Sequence, residues 1–526
     1  MASGLILKEL SRYKIGTFAH IIHRHALLRP DHEAFIYGTE RITYSEFNAR
    51  VNSLVHALQA MGVNKGDGIC ISSWNCLDYA LAYGAAMKGG FVLSRFNPRL
   101  GADELNYLVN YSGVNTMFVG PEFVELVESL RSQLSKVKNF ISIEDRAPNM
   151  AYIRDLLDTY PGDEPDVRVE EDDGLHIIYT SGTTGVPRGA LYAHRQSWED
   201  CRTYIINLGI QPDDKHLQIS PIFHIAGDTM FRSILYVGAC NIIMKFFDPA
   251  ATLQLVQDEK VTHLMIVPTH LIAMLAVPDA GKYDVSSLKF MWYGGSPMPL
   301  EVLRKGLETF GPLFGQGYGQ SESGPAICHL PKEDHDALGT PNQKILGSVG
   351  QPDIGVQVRI VDEDGKDVEP GEVGEIVVQS KHMMLEYWNK PDDTGETIVD
   401  GWLHTGDMGC YDEKGYIYIV DRKKDMIITG GENVYPREVE EVLYKHPAVQ
   451  EVAVIGIPDP YWVEKVHAVV SLKKGAGTTA EELINLCKKN LAGYKSPKSV
   501  EFVDALPKNP SGKILKRELR EKYQTS

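Results

Sequence analysis

The chain is 526 residues long, with 43% hydrophobic and 23% charged side chains, the composition of a globular protein with room for two or more domains. Its formal net charge of −17 argues against general nucleic-acid binding. It lacks the run of about 18 apolar residues that a membrane-spanning helix needs.

The apolar stretch within residues 1–10 is too short for a signal peptide, so a cytoplasmic location is expected. His20, His23 and His25 cluster next, and a solvated helix face is the expectation there rather than a metal site. The seven cysteines, at 70, 76, 201, 240, 328, 410 and 487, form no Cys-x-x-Cys pair. Reduced thiols are expected, with neither a zinc site nor a redox couple.

Residues 175–179 are an apolar, strand-like run that leads into Thr180-Ser181-Gly182-Thr183-Thr184-Gly185-Val186-Pro187-Arg188-Gly189. Glycines let a backbone approach a ligand closely. The hydroxyls of Thr180, Ser181, Thr183 and Thr184 and the freed N–H groups suit an anion. Arg188 adds a charge suited to bidentate phosphate contact. Taken alone, such a run is more often a surface turn.

Further along, residues 268–275 and 300–309 read as helices. Strand-like runs at 287–293 and 311–316 lead into glycine-rich loops, Gly294-Gly295-Ser296-Pro297 and Gly317-Tyr318-Gly319-Gln320-Ser321-Glu322. Strand–loop–helix alternation predicts a mostly parallel α/β sheet, with all three loops facing one crevice at its carboxyl edge. From about 345 to 420 the texture becomes short alternating strands, at 356–361, 375–379 and 416–420, a small β subdomain. The charged run 421–425 then marks a boundary. Beyond it come a helix at 436–445, strands at 451–457 and 466–472, a helix at 480–491 and a strand at 499–503. That is a compact α+β unit of about one hundred residues, an independently foldable size. Residues 490–526 carry eight Lys or Arg against four Asp or Glu, a basic tail in an acidic protein.

Common nucleotide and hydrolase motifs are missing. No Gly-x4-Gly-Lys-Ser/Thr occurs, Gly315-Gln316-Gly317-Tyr318-Gly319 breaks the dinucleotide spacing, and Gly319-Gln320-Ser321-Glu322-Ser323 fails as a nucleophile elbow. The 180–189 segment instead resembles the phosphate-binding motif of the adenylate-forming (AMP-binding) superfamily, which holds acyl-CoA synthetases, peptide-synthetase adenylation domains and luciferases. The resemblance runs in motif order from Ile42-Thr43-Tyr44-Ser45-Glu46-Phe47 to Lys513. Gly430-Gly431-Glu432-Asn433-Val434-Tyr435-Pro436 looks most like the fatty-acyl and aryl acid–CoA ligases.

That resemblance implies a large N-terminal domain of several subdomains over residues 1–422, with mostly parallel sheets and the 345–420 stretch as a β-barrel-like subdomain. A hinge at Lys424 would join it to a mobile C-terminal domain, 423–526. It implies a ligase that joins a carboxylic acid to CoA in two steps, through an acyl-adenylate, using ATP, Mg2+ and coenzyme A. A stand-alone enzyme loading a carrier-protein thiol and a non-catalytic nucleotide-binding protein are the alternatives.

The roles implied follow the motifs. Thr180, Ser181, Gly182, Thr183, Thr184, Gly185 and Arg188 would hold the β- and γ-phosphates. Gly294, Gly295 and Ser296, with Gly317, Tyr318 and Gly319, would lie against the adenine. Ser321 would contact the α-phosphate and Glu322 would ligate Mg2+, a hard cation that suits carboxylate. Asp407, supported by Arg422, would take the ribose hydroxyls. Lys513, in Pro507-Lys508-Asn509-Pro510-Ser511-Gly512-Lys513, would bridge the attacking carboxylate and the α-phosphate in the first half-reaction. Gly430, Gly431 and Glu432, with Trp462, would line the pantetheine channel for the second.

His224 resembles the family's acyl-pocket entrance, and a buried, satisfied histidine is its plainer reading. Ala226, Gly227, Met230, Pro325 and Ala326 would line a pocket for a medium-chain, branched, alicyclic or aromatic acid. Asp228 and Arg232 are four apart on a predicted helix and should pair with each other, with recognition of a polar acid tail as the alternative. Arg188 stands where lysine is usual and Ser321 where threonine is usual, so altered kinetics are expected. The partners expected are small molecules, with no nucleic acid and no membrane span; a homodimer is left open.

Overall fold

The computed structural model describes the chain except for residues 1–2, 181–186, 297, 430–431, 509–513 and 525–526. By its contacts it divides into two compact units, Met1–Val358 with Val378–Leu403, and Arg359–Val377 with His404–Ser526.

Two large sheets organise the first unit. The nine-stranded sheet runs, in spatial order, Gln351–Pro352, Gly324–Leu330, Phe314–Gln320, Phe290–Gly294, His263–Ile266, Lys215–Gln218, Cys240–Ile243, Glu33–Tyr37 and Glu40–Thr43. Its centre is parallel; the last pair and the two strands beyond Phe314–Gln320 are antiparallel. The eight-stranded sheet runs Glu386–Tyr387, Arg188–Ala193, Gly174–Thr180, Val92–Arg95, Gly68–Ser72, Thr116–Val119, Asn139–Ser142 and Ala151–Tyr152. Strands such as Thr116–Val119 and Phe290–Gly294 are buried along their whole length. That explains why they read as continuous apolar runs rather than alternating ones.

Local sequence sets the helix ends. In the Ile42–Phe47 motif, Thr43 ends a strand and caps the helix Tyr44–Ala60. Its hydroxyl accepts from the Glu46 N–H at 3.2 Å, and the Glu46 carboxylate accepts from the Thr43 N–H at 2.8 Å. Such a reciprocal cap satisfies two donors that the first turn leaves open. The predicted helix at 268–275 is present as Pro268–Leu275, with proline at its first turn, where no N–H is needed.

Two expectations are corrected. His23 and His25 are not on a solvated face but are 3% and 6% exposed in the helix Phe18–Leu28. They are satisfied there: His23 Nδ1 lies 2.8 Å from Glu164, and His25 Nε2 lies 3.0 Å from the Tyr236 carbonyl. Residues 317–320 are not loop but the end of the strand Phe314–Gln320. The segment at 180–189 leads into the strand Arg188–Ala193, antiparallel to Gly174–Thr180 with Thr180 opposite Arg188.

In the second unit, Val449–Asp459 and Val463–Leu472 form a long antiparallel pair. Ile427–Thr429 pairs with Val463–Leu472 and carries Glu432–Val434, while Ser499–Phe502 adds in parallel on Val463–Leu472. Helices Pro436–Tyr444 and Ala480–Asn490 cover one face, with Val439, Leu443, Leu483 and Cys487 buried on Val452, Val454 and Val466. The β subdomain expected around 345–420 is present as a five-stranded sheet. It runs Val356–Val361, Gly374–Ser380, Trp402–Tyr411, Ile398–Val399, with Ile417–Arg422 also on Trp402–Tyr411.

Candidate active site

The strands Phe290–Gly294 and Phe314–Gln320 lie side by side in parallel, with Gly294 opposite Gly317. Both glycines are packing requirements. A Cβ on Gly294 would stand 2.7 Å from the Gly317 carbonyl oxygen, and one on Gly317 would stand 2.1 Å from the Trp292 ring. Just past the strand end, Gly295 has φ +79°, a left-handed conformation that favours glycine. Gly295 and Ser296 are exposed there, while Tyr318 on the neighbouring strand is 9% exposed.

The turn carrying Ser321 and Glu322 is gripped by the edge of the other sheet. Tyr192, on Arg188–Ala193, donates to the Ser321 carbonyl at 2.7 Å, and the Met384 N–H donates to the Glu322 carbonyl at 2.8 Å. The Glu322 carboxylate then receives two hydroxyls on one oxygen, Oε1: Tyr387 at 2.9 Å and Thr180 at 3.3 Å. So Thr180, at the end of the strand leading to the phosphate segment, meets the predicted metal ligand directly. Arg188 stands opposite Thr180 in register, with Nε 3.2 Å from Asp393 and its guanidinium 5.2 Å from the centre of the Tyr387 ring. Tyr192, Tyr387 and Asp393 were not singled out from sequence. All three lie more than sixty positions from Glu322, and no spacing rule links a two-residue edge strand, Glu386–Tyr387, to a turn on another sheet.

Glu322 is half-buried, and Oε2 makes no hydrogen bond among the described residues. No group of three or more His, Cys, Asp or Glu side chains capable of holding a metal occurs among the described residues. One carboxylate oxygen is nevertheless a fitting donor for Mg2+, which takes one or two carboxylates and completes its shell with phosphate oxygens and water.

His224 is exposed, not buried, and stands at the N-cap position of the helix Ile225–Val237. Gly227 fits because a Cβ there would stand 2.3 Å from the Pro221 carbonyl oxygen. Ala226 is half-buried, and Pro325 is buried on the strand Gly324–Leu330. Met230 and Ala326 are both 0% exposed, within an apolar cluster that includes Tyr204 and Trp292. Asp228 and Arg232 do pair, Nε to Oδ2 at 2.8 Å, both fully buried.

In the second unit Asp407 lies opposite Arg422 on antiparallel strands and pairs with it at 2.5 Å. Asp407 is 3% exposed, and its N–H donates to the Thr405 hydroxyl at 3.0 Å. Glu432 is exposed on Glu432–Val434, and Trp462 is 37% exposed beside Tyr461. Lys424 falls in the short turn Lys423–Asp425, with its side chain outside the described residues. Ser181, Gly182, Thr183, Thr184, Gly185, Gly430, Gly431 and Lys513 also lie outside the described residues.

Residues 22–388 match the model of the AMP-binding enzyme family, and residues 438–513 match that of the AMP-binding enzyme C-terminal domain. The chain belongs to the AMP-binding enzyme family. It is 38% identical to a feruloyl-CoA synthase of Amycolatopsis sp over 95% of its own length and 98% of that protein's. It is 34% identical to the fatty acid–[acyl-carrier-protein] ligase ScoC of Streptomyces coeruleorubidus, covering 98% of each chain. Among solved structures it resembles ATP-bound MatB from Rhodopseudomonas palustris, at 29% identity and a TM-score of 0.87, over 96% of this chain and 99% of that one. This AMP-binding enzyme is an AMP-forming acyl-CoA synthetase, a class that uses ATP, Mg2+ and CoA.

Proposed function

We propose that this AMP-binding enzyme joins CoA to a medium-chain, branched, alicyclic or aromatic carboxylic acid through an acyl-adenylate. The observation that carries the reading is the meeting of Thr180, Arg188 and Glu322 at one place, a hydroxyl, a fixed cation and a carboxylate where the phosphate strand ends. A carboxylate cannot accept a thiol directly, because oxide would have to leave. In the first step a carboxylate oxygen attacks the α-phosphorus, a new O–P bond forms, and the bond to the β-phosphate oxygen breaks to release pyrophosphate. In the second step the CoA sulfur attacks the acyl carbon, its proton goes to solvent, and AMP leaves with the bridging oxygen.

Each step needs charge neutralised at a fixed place. Thr180 and Arg188, with the 181–185 segment, hold the β- and γ-phosphates. Ser321 and Lys513 act at the α-phosphate, and Lys513 also holds the acid's carboxylate. Mg2+ bound through Glu322 supplies further positive charge on the phosphate oxygens. Tyr318, Gly294, Gly295, Ser296, Gly317 and Gly319 serve the adenine, and Asp407 with Arg422 serves the ribose. Gly430, Gly431, Glu432 and Trp462 serve the CoA arm, and Lys424 is the hinge between domains 1–422 and 423–526. Small and apolar residues, Ala226, Gly227, Pro325 and Ala326, favour an apolar acyl group beyond His224. The aryl and fatty acyl names of the relatives agree with that class.

A carrier-protein thiol as acceptor is the second reading, favoured by the likeness to ScoC. Both readings share the adenylation step. Lys513→Ala should slow acyl-adenylate formation roughly 100- to 1000-fold, as loss of one charge-stabilising group at a transition state does. It should leave thioester formation from supplied acyl-adenylate near the wild-type rate. Measuring the two half-reactions separately checks this, and equal loss in both removes the role given to Lys513.

A further inference from the structure

The pair Tyr387 and Asp393 is unused by the mechanism above, yet both touch its charged groups. Tyr387 is 4% exposed and held from several sides. Its backbone pairs with Ala190 of the strand Arg188–Ala193, and its N–H donates to the Thr394 hydroxyl at 2.9 Å. Its ring packs in a small apolar cluster with Ile178, Ala190, Tyr192, Ile225 and Met384. A phenol so confined has little rotamer freedom, so its hydroxyl has a fixed place. That place is 2.9 Å from Glu322 Oε1.

The outcome for Glu322 is asymmetric. Oε1 takes hydroxyl donors from Tyr387 and Thr180, and Oε2 takes none among the described residues. The Arg188 guanidinium lies over the same ring, 5.2 Å from its centre, with Nε 3.2 Å from Asp393. One phenol ring therefore sits between the chain's carboxylate for the cation and its cation for the phosphates.

We propose that Tyr387 is a positioning residue for the Mg2+ site: by occupying Oε1 it fixes the Glu322 carboxylate so that Oε2 is the oxygen offered to Mg2+. The inference rests on the reading of Glu322 as the Mg2+ ligand. Groups that hold a metal ligand in place matter for the metal itself, and losing one typically costs about 10- to 100-fold in metal affinity or activity.

The experiment is calorimetric titration of the full chain with ATP, at graded Mg2+ and in EDTA, without acid or CoA. Wild type is compared with Tyr387→Phe, Glu322→Gln and the double variant, and each melting temperature is read alongside. Tyr387→Phe keeps the ring in its cluster, so the fold should be retained. It should lower the Mg2+ affinity of the enzyme–ATP complex by about 10- to 100-fold, with ATP affinity in EDTA unchanged. In the Glu322→Gln background the same substitution should cost nothing more, because Tyr387 acts through that carboxylate. Wild-type Mg2+ affinity in Tyr387→Phe, or equal losses in both backgrounds, overturns the proposal. If Glu322→Gln itself leaves Mg2+ affinity intact, it is the metal assignment of Glu322 that fails, and the role of Tyr387 falls with it.

Discussion

Asp353 is buried beside Asn207, whose amide donates to Oδ1 at 2.7 Å, and burial pushes its carboxyl up to about 7. The folded chain therefore binds this proton more tightly than the unfolded chain, where an aspartate titrates near 4. The stabilisation is fully present below about pH 4 and is lost as pH rises through about 7. Asp353→Asn removes the dependence while keeping the side chain's shape. Urea unfolding at pH 5.5 and 8.5 should show wild type losing stability relative to the variant over that interval; parallel changes would contradict the assignment. Arg188 shows a different use of charge at one residue. A planar guanidinium can lie on the Tyr387 ring while facing Asp393, an arrangement a lysine ammonium matches less well. That gives the departure from the family's usual lysine a local reason.

The helix Ile225–Val237, which carries Ala226, Gly227 and Met230, is anchored by buried charge rather than by apolar packing alone. Arg232 donates to Asp228 at 2.8 Å, to Asp200 at 3.0 Å and to the Ser197 carbonyl at 2.8 Å. Arg95 pairs with Asp228 and donates to the Ile222 carbonyl at 2.9 Å. Two arginines and two aspartates balance, all at most 1% exposed. Arg232→Met should destabilise the first unit by about 3–5 kcal/mol, the cost of stranding a buried charge. It is read as a shift of the denaturation midpoint; a shift worth under about 1 kcal/mol would mean that water reaches the cluster.

Elements with strong local signals were legible in the sequence: residues 356–361 form the strand Val356–Val361, and the helix expected at 436–445 is Pro436–Tyr444. Where glycine was read as turn chemistry the expectation missed. Gly317 and Gly319 sit in a strand, because Trp292 and the 324–325 backbone leave no room for a side chain. The exposure of His224 and the grip of Tyr387 on Glu322 depend on how distant segments meet, and pattern along the chain carries no record of that.

At the scale of the molecule, the residues assigned to the chemistry are divided between the two compact units. Thr180, Arg188, Ser321 and Glu322 belong to the first, and Asp407, Arg422, Glu432 and Trp462 to the second. The net charge of −17 makes the protein as a whole a poor attractor of anions, so binding of ATP and CoA has to come from local groups such as Arg188 and the basic stretch at 490–526. No helix among the described residues is long and apolar enough to cross a membrane.

The measurement that tests the central claim most directly is AMP release from ATP over a panel of medium-chain, branched, alicyclic and aromatic acids, with and without CoA. The account predicts turnover that requires both CoA and one group of these acids, with acyl-CoA and AMP formed in equal amounts. Acid-dependent pyrophosphate exchange without CoA-dependent turnover would contradict CoA as the acceptor and point to a carrier-protein thiol.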